Sequence, residues 1–322
     1  MINKWRSFGV LLGNEIKKYT STKLTFLIFV VILIGLIIYA INIDSQQEKI
    51  ITSDYKNYLQ QEIDEINNVL NNPAYVMSDN MRQEYIDTVK INTYMIEHDI
   101  EPYKNKSAAN YLITINNLFI LVVVLCIILI TQIITDEYRY STTNILITVP
   151  CKRWKILLSK VITMIILCVG IVVLTYIVSF IVGGIFWGYD SLDMSIVTIN
   201  NGKICVRNVV EQSLVNNFYN IFTLISCASL VMLISIVFRN GIVSICTGVS
   251  IYYFGSQIAI SLSEYSWIKY SLFANMQFQF YFNGMEIFKG LTPKFSVAVL
   301  LIYSAIFIGL SFLVYNKRNV YD

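Results

Sequence analysis

Charged residues are scarce in this chain, since Asp, Glu, Lys and Arg make up only 14% of its 322 residues. A soluble domain carries about a quarter of such residues, so the composition argues against an ordinary soluble protein. Hydrophobic residues reach 56%, and the mean hydropathy is +0.59. We therefore predict a membrane protein.

Several chemical motifs are also missing from the sequence. His98 is the single histidine, which removes most histidine-based metal and catalytic sites. No Gly-x-x-x-x-Gly-Lys-Ser/Thr phosphate loop occurs, so the chain does not bind ATP in the P-loop manner. Gly-x-Ser-x-Gly, His-Glu-x-x-His and Cys-x-x-Cys are absent as well. We predict no catalytic residue, no metal site and no cofactor bound by this chain.

Six apolar segments are each long enough to cross about 30 Å of hydrocarbon. They predict an all-α integral membrane protein with transmembrane helices at residues 24–43, 109–135, 156–187, 217–238, 241–263 and 294–316. None of them carries Asp, Glu, Lys, Arg or His near its middle. Proton- and ion-driven transporters keep such groups at depth, so an ion-driven mechanism is poorly supported.

The charge of the connecting segments predicts the orientation. Residues 1–23, 136–160, 239–240 and 317–322 hold 13 basic and 4 acidic side chains, whereas the remaining connections hold 11 basic and 17 acidic ones. Cytoplasmic segments of membrane proteins are the basic ones. We therefore predict a multi-pass protein of the bacterial cytoplasmic membrane with both termini in the cytoplasm.

The connecting segments have predicted structure of their own. In residues 1–23, apolar side chains share one face of an amphipathic helix that lies in the membrane interface and contacts lipid: Trp5, Phe8, Leu12, Ile16 and Tyr19. Residues 44–108 repeat apolar positions at helical spacing on both sides of Pro73, which predicts an external helical hairpin. The other predicted segments are an external loop at 188–216, an aromatic segment at the outer interface at 264–293 and a cytoplasmic tail at 317–322.

Two sets of residues inside the spans are candidate functional positions. Small residues in the fifth span share one face and favour a close helix contact, within the chain rather than between subunits: Gly241, Ser244, Gly248, Gly255 and Ala259. Mild polar groups that could line a pathway are Asn116, Asn117, Gln132 and Gln257.

Residues 136–155 join the second and third spans and are predicted to form a cytoplasmic coupling helix. Ser141-Thr142-Thr143 can cap a short helix that Pro150 ends. An ordinary positive-inside loop would need basic residues, but it would not need this order of acid, hydroxyl, Leu, Pro, Arg and Lys. The candidate coupling residues are Glu137, Arg139, Thr142, Leu146, Pro150, Arg153, Lys155 and Lys160.

This order resembles the ABC-2 type permease family, the membrane subunits of bacterial ABC exporters. In that family, the segment after the second helix runs Glu, Gly-Thr, Leu, Pro, Arg and Lys. The matching residues here are Glu137, Thr142, Leu146, Pro150, Arg153 and Lys160. Ser141 stands where the family usually has Gly, and Asn319 stands where Asp is common.

The resemblance implies a homo- or heterodimer of permeases with two copies of a P-loop ATP-binding subunit, which carries ATP-Mg. The external hairpin is similar to that of bacteriocin-immunity, bacitracin-resistance and sodium-export permeases. Export of an amphiphilic peptide, antibiotic or lipid-like substrate is the favoured interpretation, with no nucleic-acid partner. A membrane sensor that detects an external peptide through residues 44–108 is the alternative. A channel would need a polar ring that the sequence does not offer, and an enzyme lacks catalytic groups.

Overall fold

The computed structural model describes residues 2–45, 55–72, 79–102, 106–139, 153–200, 203–278, 288 and 291–317. Within these ranges, six helices are long and apolar enough to cross a membrane: Lys23–Ser45, Ala108–Tyr138, Arg153–Trp187, Val209–Phe238, Gly241–Ser261 and Pro293–Lys317. The prediction of an all-α membrane protein with six transmembrane helices is confirmed. The chain is a multi-pass membrane protein.

The elements are numbered in chain order. They are α1 (Ile2–Thr20), α2 (Lys23–Ser45), α3 (Tyr55–Asn71), α4 (Asp79–Glu97), α5 (Ala108–Thr114), α6 (Phe119–Arg139), α7 (Arg153–Trp187), β1 (Ser195–Asn200), β2 (Lys203–Asn208), α8 (Val209–Phe238), α9 (Gly241–Ser261), α10 (Leu272–Asn275) and α11 (Pro293–Lys317). A 3₁₀ turn at Ile115–Leu118 joins α5 to α6, and the three together form the second span. We call the end of the bundle that holds α1 and the start of α7 the terminal end, and the end that holds α3, α4 and the strands the hairpin end.

The second and fourth spans form the centre of the bundle. More than half of each is buried, whereas less than a quarter of the first and sixth spans is buried. Buried side chains from α6, α7 and α8 meet there, and the thiols of Cys126 and Cys168 lie 3.6 Å apart. Lipid tails are as apolar as leucine, so close side-chain packing and polar contacts hold these helices together.

The turn between α8 and α9 is short because two residues close it. Arg239 ends α8 in the left-handed conformation, with φ at 54°, and its N–H donates to the Ser235 carbonyl. Asn240 then caps α9, since its Oδ1 accepts from the N–H groups of Ile242 and Val243 at 3.0 and 3.2 Å. Each helix therefore has some of its terminal backbone groups paired at this turn.

The prediction of an external loop at 188–216 is corrected, because the structure has a β-hairpin there. β1 and β2 pair antiparallel, with Ile196 opposite Arg207. The fourth helix then begins at Val209 rather than at 217, since Asn208 Oδ1 accepts from the Val210 N–H at 2.8 Å and caps it. The first turn of α8 contains the polar residues Glu211 and Gln212, so the apolar segment recognised in the sequence began after it.

The described part of the chain between the first two spans is an antiparallel helical hairpin, as the apolar spacing predicts. Asn92 of α4 donates to Glu62 of α3 at 3.2 Å, and Lys56 pairs with Asp99. The Lys56 ammonium holds the pKa of the Asp99 carboxyl below its usual value. Val197 of β1 packs with the buried core of α3 and α4, whereas its neighbour Ile196 packs on the start of the second span. The strand therefore connects the hairpin to the bundle.

The small residues of α9 lie against other parts of the same chain. A Cβ on Gly241 would lie 3.2 Å from Thr135 of α6, and one on Gly255 would overlap the ring of Phe273. On Gly248, a Cβ would lie 2.9 Å from Val231 and 3.3 Å from Ile127. Ser244 and Ala259 are buried on the same helix. These small residues therefore pack against other helices of the same chain.

Replacing Gly248 with Leu should destabilise the bundle, because the new side chain overlaps two helices. Overpacking of this kind costs about 1–3 kcal/mol. Gly309→Leu on α11 is the matched control, since nothing lies within 4 Å of a Cβ built there. Thermal unfolding in detergent should show a lower midpoint for Gly248→Leu only. Equal midpoints for the two variants would contradict close packing at Gly248.

Candidate functional site

A buried lysine lies where the second and third spans meet at the terminal end. Lys160, in the second turn of α7, has 1% of its side chain exposed. Its Nζ is 2.6 Å from Oε1 of Glu137, in the last turn of α6, and it donates to the Ile133 carbonyl at 2.7 Å. The Glu137 side chain is buried as well. A short hydrogen-bonded ion pair therefore holds the two helices together.

The N-terminal helix brings a second carboxylate to the same lysine. Glu15 Oε2 lies 4.0 Å from Lys160 Nζ, and Tyr19, one turn further on, donates its hydroxyl to the Ile133 carbonyl at 3.3 Å. Burial raises the pKa of the Tyr19 phenol well above its usual value, and the carboxylates of Glu15 and Glu137 add to this effect. The Tyr19 phenol therefore stays protonated to a higher pH than an exposed tyrosine does, and it keeps its hydrogen-bond donor.

These four side chains, Glu15, Tyr19, Glu137 and Lys160, form what we call the terminal cluster. A buried cation loses its hydration, and only close carboxylates and hydrogen bonds compensate for that loss. The cluster therefore requires α1, α6 and α7 to sit in one relative position. Since α6 ends and α7 begins on either side of residues 140–152, it also fixes where both ends of the predicted coupling segment lie.

Further cations and aromatic rings surround the terminal cluster. The guanidinium of Arg239, in the turn between α8 and α9, lies 5.4 Å from the ring centroid of Tyr138. In the first turn of α7, Lys155 Nζ lies 5.8 Å from the Trp154 ring, and Arg153 is exposed. Cations over aromatic faces attract the rings. This end of the bundle therefore presents a basic and aromatic surface around a buried acidic centre.

The predicted coupling residues fall into three groups. Glu137 and Lys160 are buried inside the bundle rather than exposed to a partner, whereas Arg153 and Lys155 lie at the surface of the first turn of α7. Arg139 is the last residue of α6, but its side chain lies outside the described residues, as do Thr142, Leu146 and Pro150 entirely. The predicted helix at 136–155 is therefore described only at its two ends.

Glu15 is the residue of the terminal cluster that the sequence pattern did not single out. It is the one acidic residue among residues 1–23 and lies one helical turn before Tyr19. An isolated carboxylate in an otherwise basic helix was the available signal. On the predicted interfacial face, Tyr19 is buried and three residues are partly buried, Phe8, Leu12 and Ile16, while the side chain of Trp5 lies outside the described residues. The helix packs along α7.

Most of the predicted pathway residues meet in one cavity near the hairpin end. It has a volume of about 250 Å³, and Asn116, Asn117 and Gln257 line it together. Asn220 of α8, which the sequence did not single out, also lines it and donates to Asn116 Oδ1 at 3.0 Å. Gln132 is not among the lining residues. The second, fourth and fifth spans thus bring their amides to one place.

Removing the buried cation should destabilise the chain strongly. Lys160→Met leaves Glu137 and Glu15 buried beside an apolar group, and breaking such a pair costs about 3–5 kcal/mol. Lys155→Met, on the same helix but at the surface, should cost far less. The free energy of unfolding, measured by titration with SDS in mixed micelles, checks both variants.

Adding Glu137→Gln to Lys160→Met should restore part of the lost stability, because one unpaired carboxylate is removed. Equal stability of Lys160→Met and Lys155→Met would show that the terminal cluster is not a required contact.

Comparison with known proteins places the chain in a family without assigning a function. Uncharacterized protein YhcI of Bacillus subtilis (strain 168) is 28% identical over 245 residues, which cover 74% of this chain and 78% of YhcI. Uncharacterized membrane protein YdbK of the same organism is 28% identical over 214 residues, covering 65% of this chain and 82% of YdbK. No solved structure matches. A family described as a protein of unknown function (DUF2705) matches residues 68–321, well over half of the sequence, and the chain therefore belongs to the DUF2705 family.

Proposed function

We propose that this chain is the membrane subunit of an ABC exporter and that a separate subunit binds and hydrolyses ATP. The observation that carries the proposal is the terminal cluster, which joins α1 to both helices flanking residues 140–152. The order of residues in that segment resembles the coupling segment of ABC-2 permeases. The chain itself has no phosphate loop, so its energy source must be another protein.

Through the terminal cluster, a force applied near residues 140–152 would reach α1, α6 and α7 together. If a partner displaces the first turn of α7, then α6 and α1 either move with it or lose the contacts of Lys160. Losing them would leave buried charges unpaired, which costs about 3–5 kcal/mol. Concerted movement of the three helices is the cheaper response. Glu137 and Lys160 act here as positioning residues, and Arg153 and Lys155 are the surface cations that would meet the partner.

The surfaces of the bundle support an amphiphilic substrate, such as an antimicrobial peptide, an antibiotic or a lipid-like molecule. The first, fifth and sixth spans each expose several large apolar side chains, which suits lipid contact and a second permease, either identical or different. The excess of Lys and Arg in the segments at the terminal end supports a cytoplasmic location for both termini, in the cytoplasmic membrane of a bacterium. ATP-Mg would be held by the two copies of the partner subunit.

A membrane sensor of an external peptide is the second candidate. It is favoured by the helical hairpin of α3 and α4, a soluble unit that β1 ties to the second span. A change in the hairpin could reach the bundle through Val197 and Ile196 of this strand. A sensor, however, needs neither the order of residues in the coupling segment nor an ATPase at the terminal end.

A photo-crosslinking amino acid placed at Trp154 should capture a P-loop ATPase in cells, because this residue is 41% exposed in the first turn of α7. Trp267 is the matched control, since it is 57% exposed and lies beyond the far end of α9. Mass spectrometry of the crosslinked bands identifies what each position captures.

Capture of the ATPase from Trp154 and not from Trp267 supports the exporter. No ATPase from either position, with both variants present in the membrane at the level of the unmodified chain, would contradict it. Capture of a signalling protein instead would favour the sensor.

A further inference from the structure

The cavity near the hairpin end has the chemistry of a ligand site. It lies between the 3₁₀ turn of the second span, α8, α9 and the residues that follow α10. Its volume is about 250 Å³. This is just below the range of about 300–1,000 Å³ for pockets that enclose a drug-sized molecule. The cavity therefore fits a headgroup rather than a whole amphiphile.

The polar atoms of the cavity have unused hydrogen-bonding capacity. The hydrogen bond from Asn220 to Asn116 uses one N–H of the Asn220 amide and one lone pair of Asn116 Oδ1. Each amide therefore keeps both donor and acceptor capacity. Gln257 adds another amide to the lining and is exposed. A group that both donates and accepts hydrogen bonds matches this set.

Ser256 provides an independent sign that the site is built for a ligand. It lines the cavity and is 7% exposed, and within the part of the chain that the structure describes its Oγ has no hydrogen-bond partner. A buried hydroxyl without a partner is unfavourable, and most such groups in proteins are paired. A ligand that bonds to Ser256 would remove this penalty.

The lining also defines what the ligand lacks. Every described side chain that lines the cavity is formally neutral. A charged headgroup would lose its hydration there without gaining a counter-charge, so charge is selected against. A purely apolar group would leave the amides unpaired. Phe119, Tyr252 and Phe278 give the cavity flat apolar sides.

One side of the cavity faces the surface of the bundle that meets the lipid. Ile120 and Tyr253 line the cavity and are exposed on the second and fifth spans. A headgroup bound among the amides could therefore leave its apolar tail along these two spans in the bilayer. This geometry allows a lipid-like molecule to enter from the side.

We propose that this cavity binds the uncharged, hydrogen-bonding headgroup of an amphiphile whose tail remains in the membrane. The inference deepens the proposed function, since the bound amphiphile would be the exported substrate. The headgroup chemistry is that of sugar hydroxyls or of peptide amides, which share neutral donors and acceptors.

Equilibrium binding to the full chain in phosphatidylcholine nanodiscs tests this site without ATP or a partner. The probes share a twelve-carbon tail: dodecyl maltoside and dodecanoyl-glycinamide are uncharged, and dodecyl sulfate and dodecyltrimethylammonium are charged. Empty nanodiscs measure the partition of each probe into lipid. We expect saturable binding of at least one uncharged probe, and its identity distinguishes a sugar headgroup from an amide. Saturation by the charged probes alone would overturn the proposal.

Two variants connect the binding to the cavity. Ser256→Ala and Gln257→Leu should each weaken binding of the uncharged probe about tenfold, because a ligand hydrogen bond is lost. Gln132→Leu, a matched amide outside the cavity, should bind like the unmodified chain. The empty Ser256→Ala protein should melt at the same or a higher temperature, because an unpaired hydroxyl has been removed.

Unchanged affinity in both cavity variants would overturn the site. Saturable binding to the cavity in a chain that associates with no ATPase would retain the site and remove the exporter, so the two proposals fail separately.

Discussion

The ammonium group of Lys160 is the constraint on which the terminal end of the bundle depends. It is buried, so its lost hydration must be replaced by Glu137, by the Ile133 carbonyl and by the field of Glu15. Close side-chain packing and this ion pair act together, since short, directed hydrogen bonds add a fixed geometry to the apolar contacts. The charge of Lys160 and the packing of α1 along α7 both hold α1 beside α6 and α7.

The two ends of the bundle have different polar chemistry. Lys160, Arg153 and Arg239 lie at the terminal end, with the Lys160 ion pair buried inside the bundle, whereas the cavity near the hairpin end is lined by neutral amides and hydroxyls. An apolar core with Cys126 and Cys168 in contact separates the ion pair from the cavity. In the proposed exporter, the terminal end would receive the movement of the ATPase and the neutral cavity would hold the substrate headgroup.

The sequence predicts the spans well because hydrocarbon thickness requires long apolar runs, which are visible without any tertiary information. The sequence does not reveal which side chains are buried or which side chains contact one another. Glu137 and Lys160 were expected on a coupling surface, but burial is set by the packing of α1 against α7, which sequence order does not encode. The β-hairpin was missed although Asn201-Gly202 is a strong hairpin signal, because apolar length dominated the interpretation of that region. Asn220 is recognised as a cavity residue only in the folded chain, because its contact with Asn116 joins two distant spans.

Membership in the DUF2705 family does not assign an activity. The most direct measurement therefore identifies the proteins that bind this chain. The chain should be purified from native membranes in mild detergent, and its partners should be identified and quantified by mass spectrometry. We expect a P-loop ATPase in equal stoichiometry with the membrane subunits. Reproducible absence of any ATPase from an intact preparation would contradict it and would direct attention to the helical hairpin as a sensor.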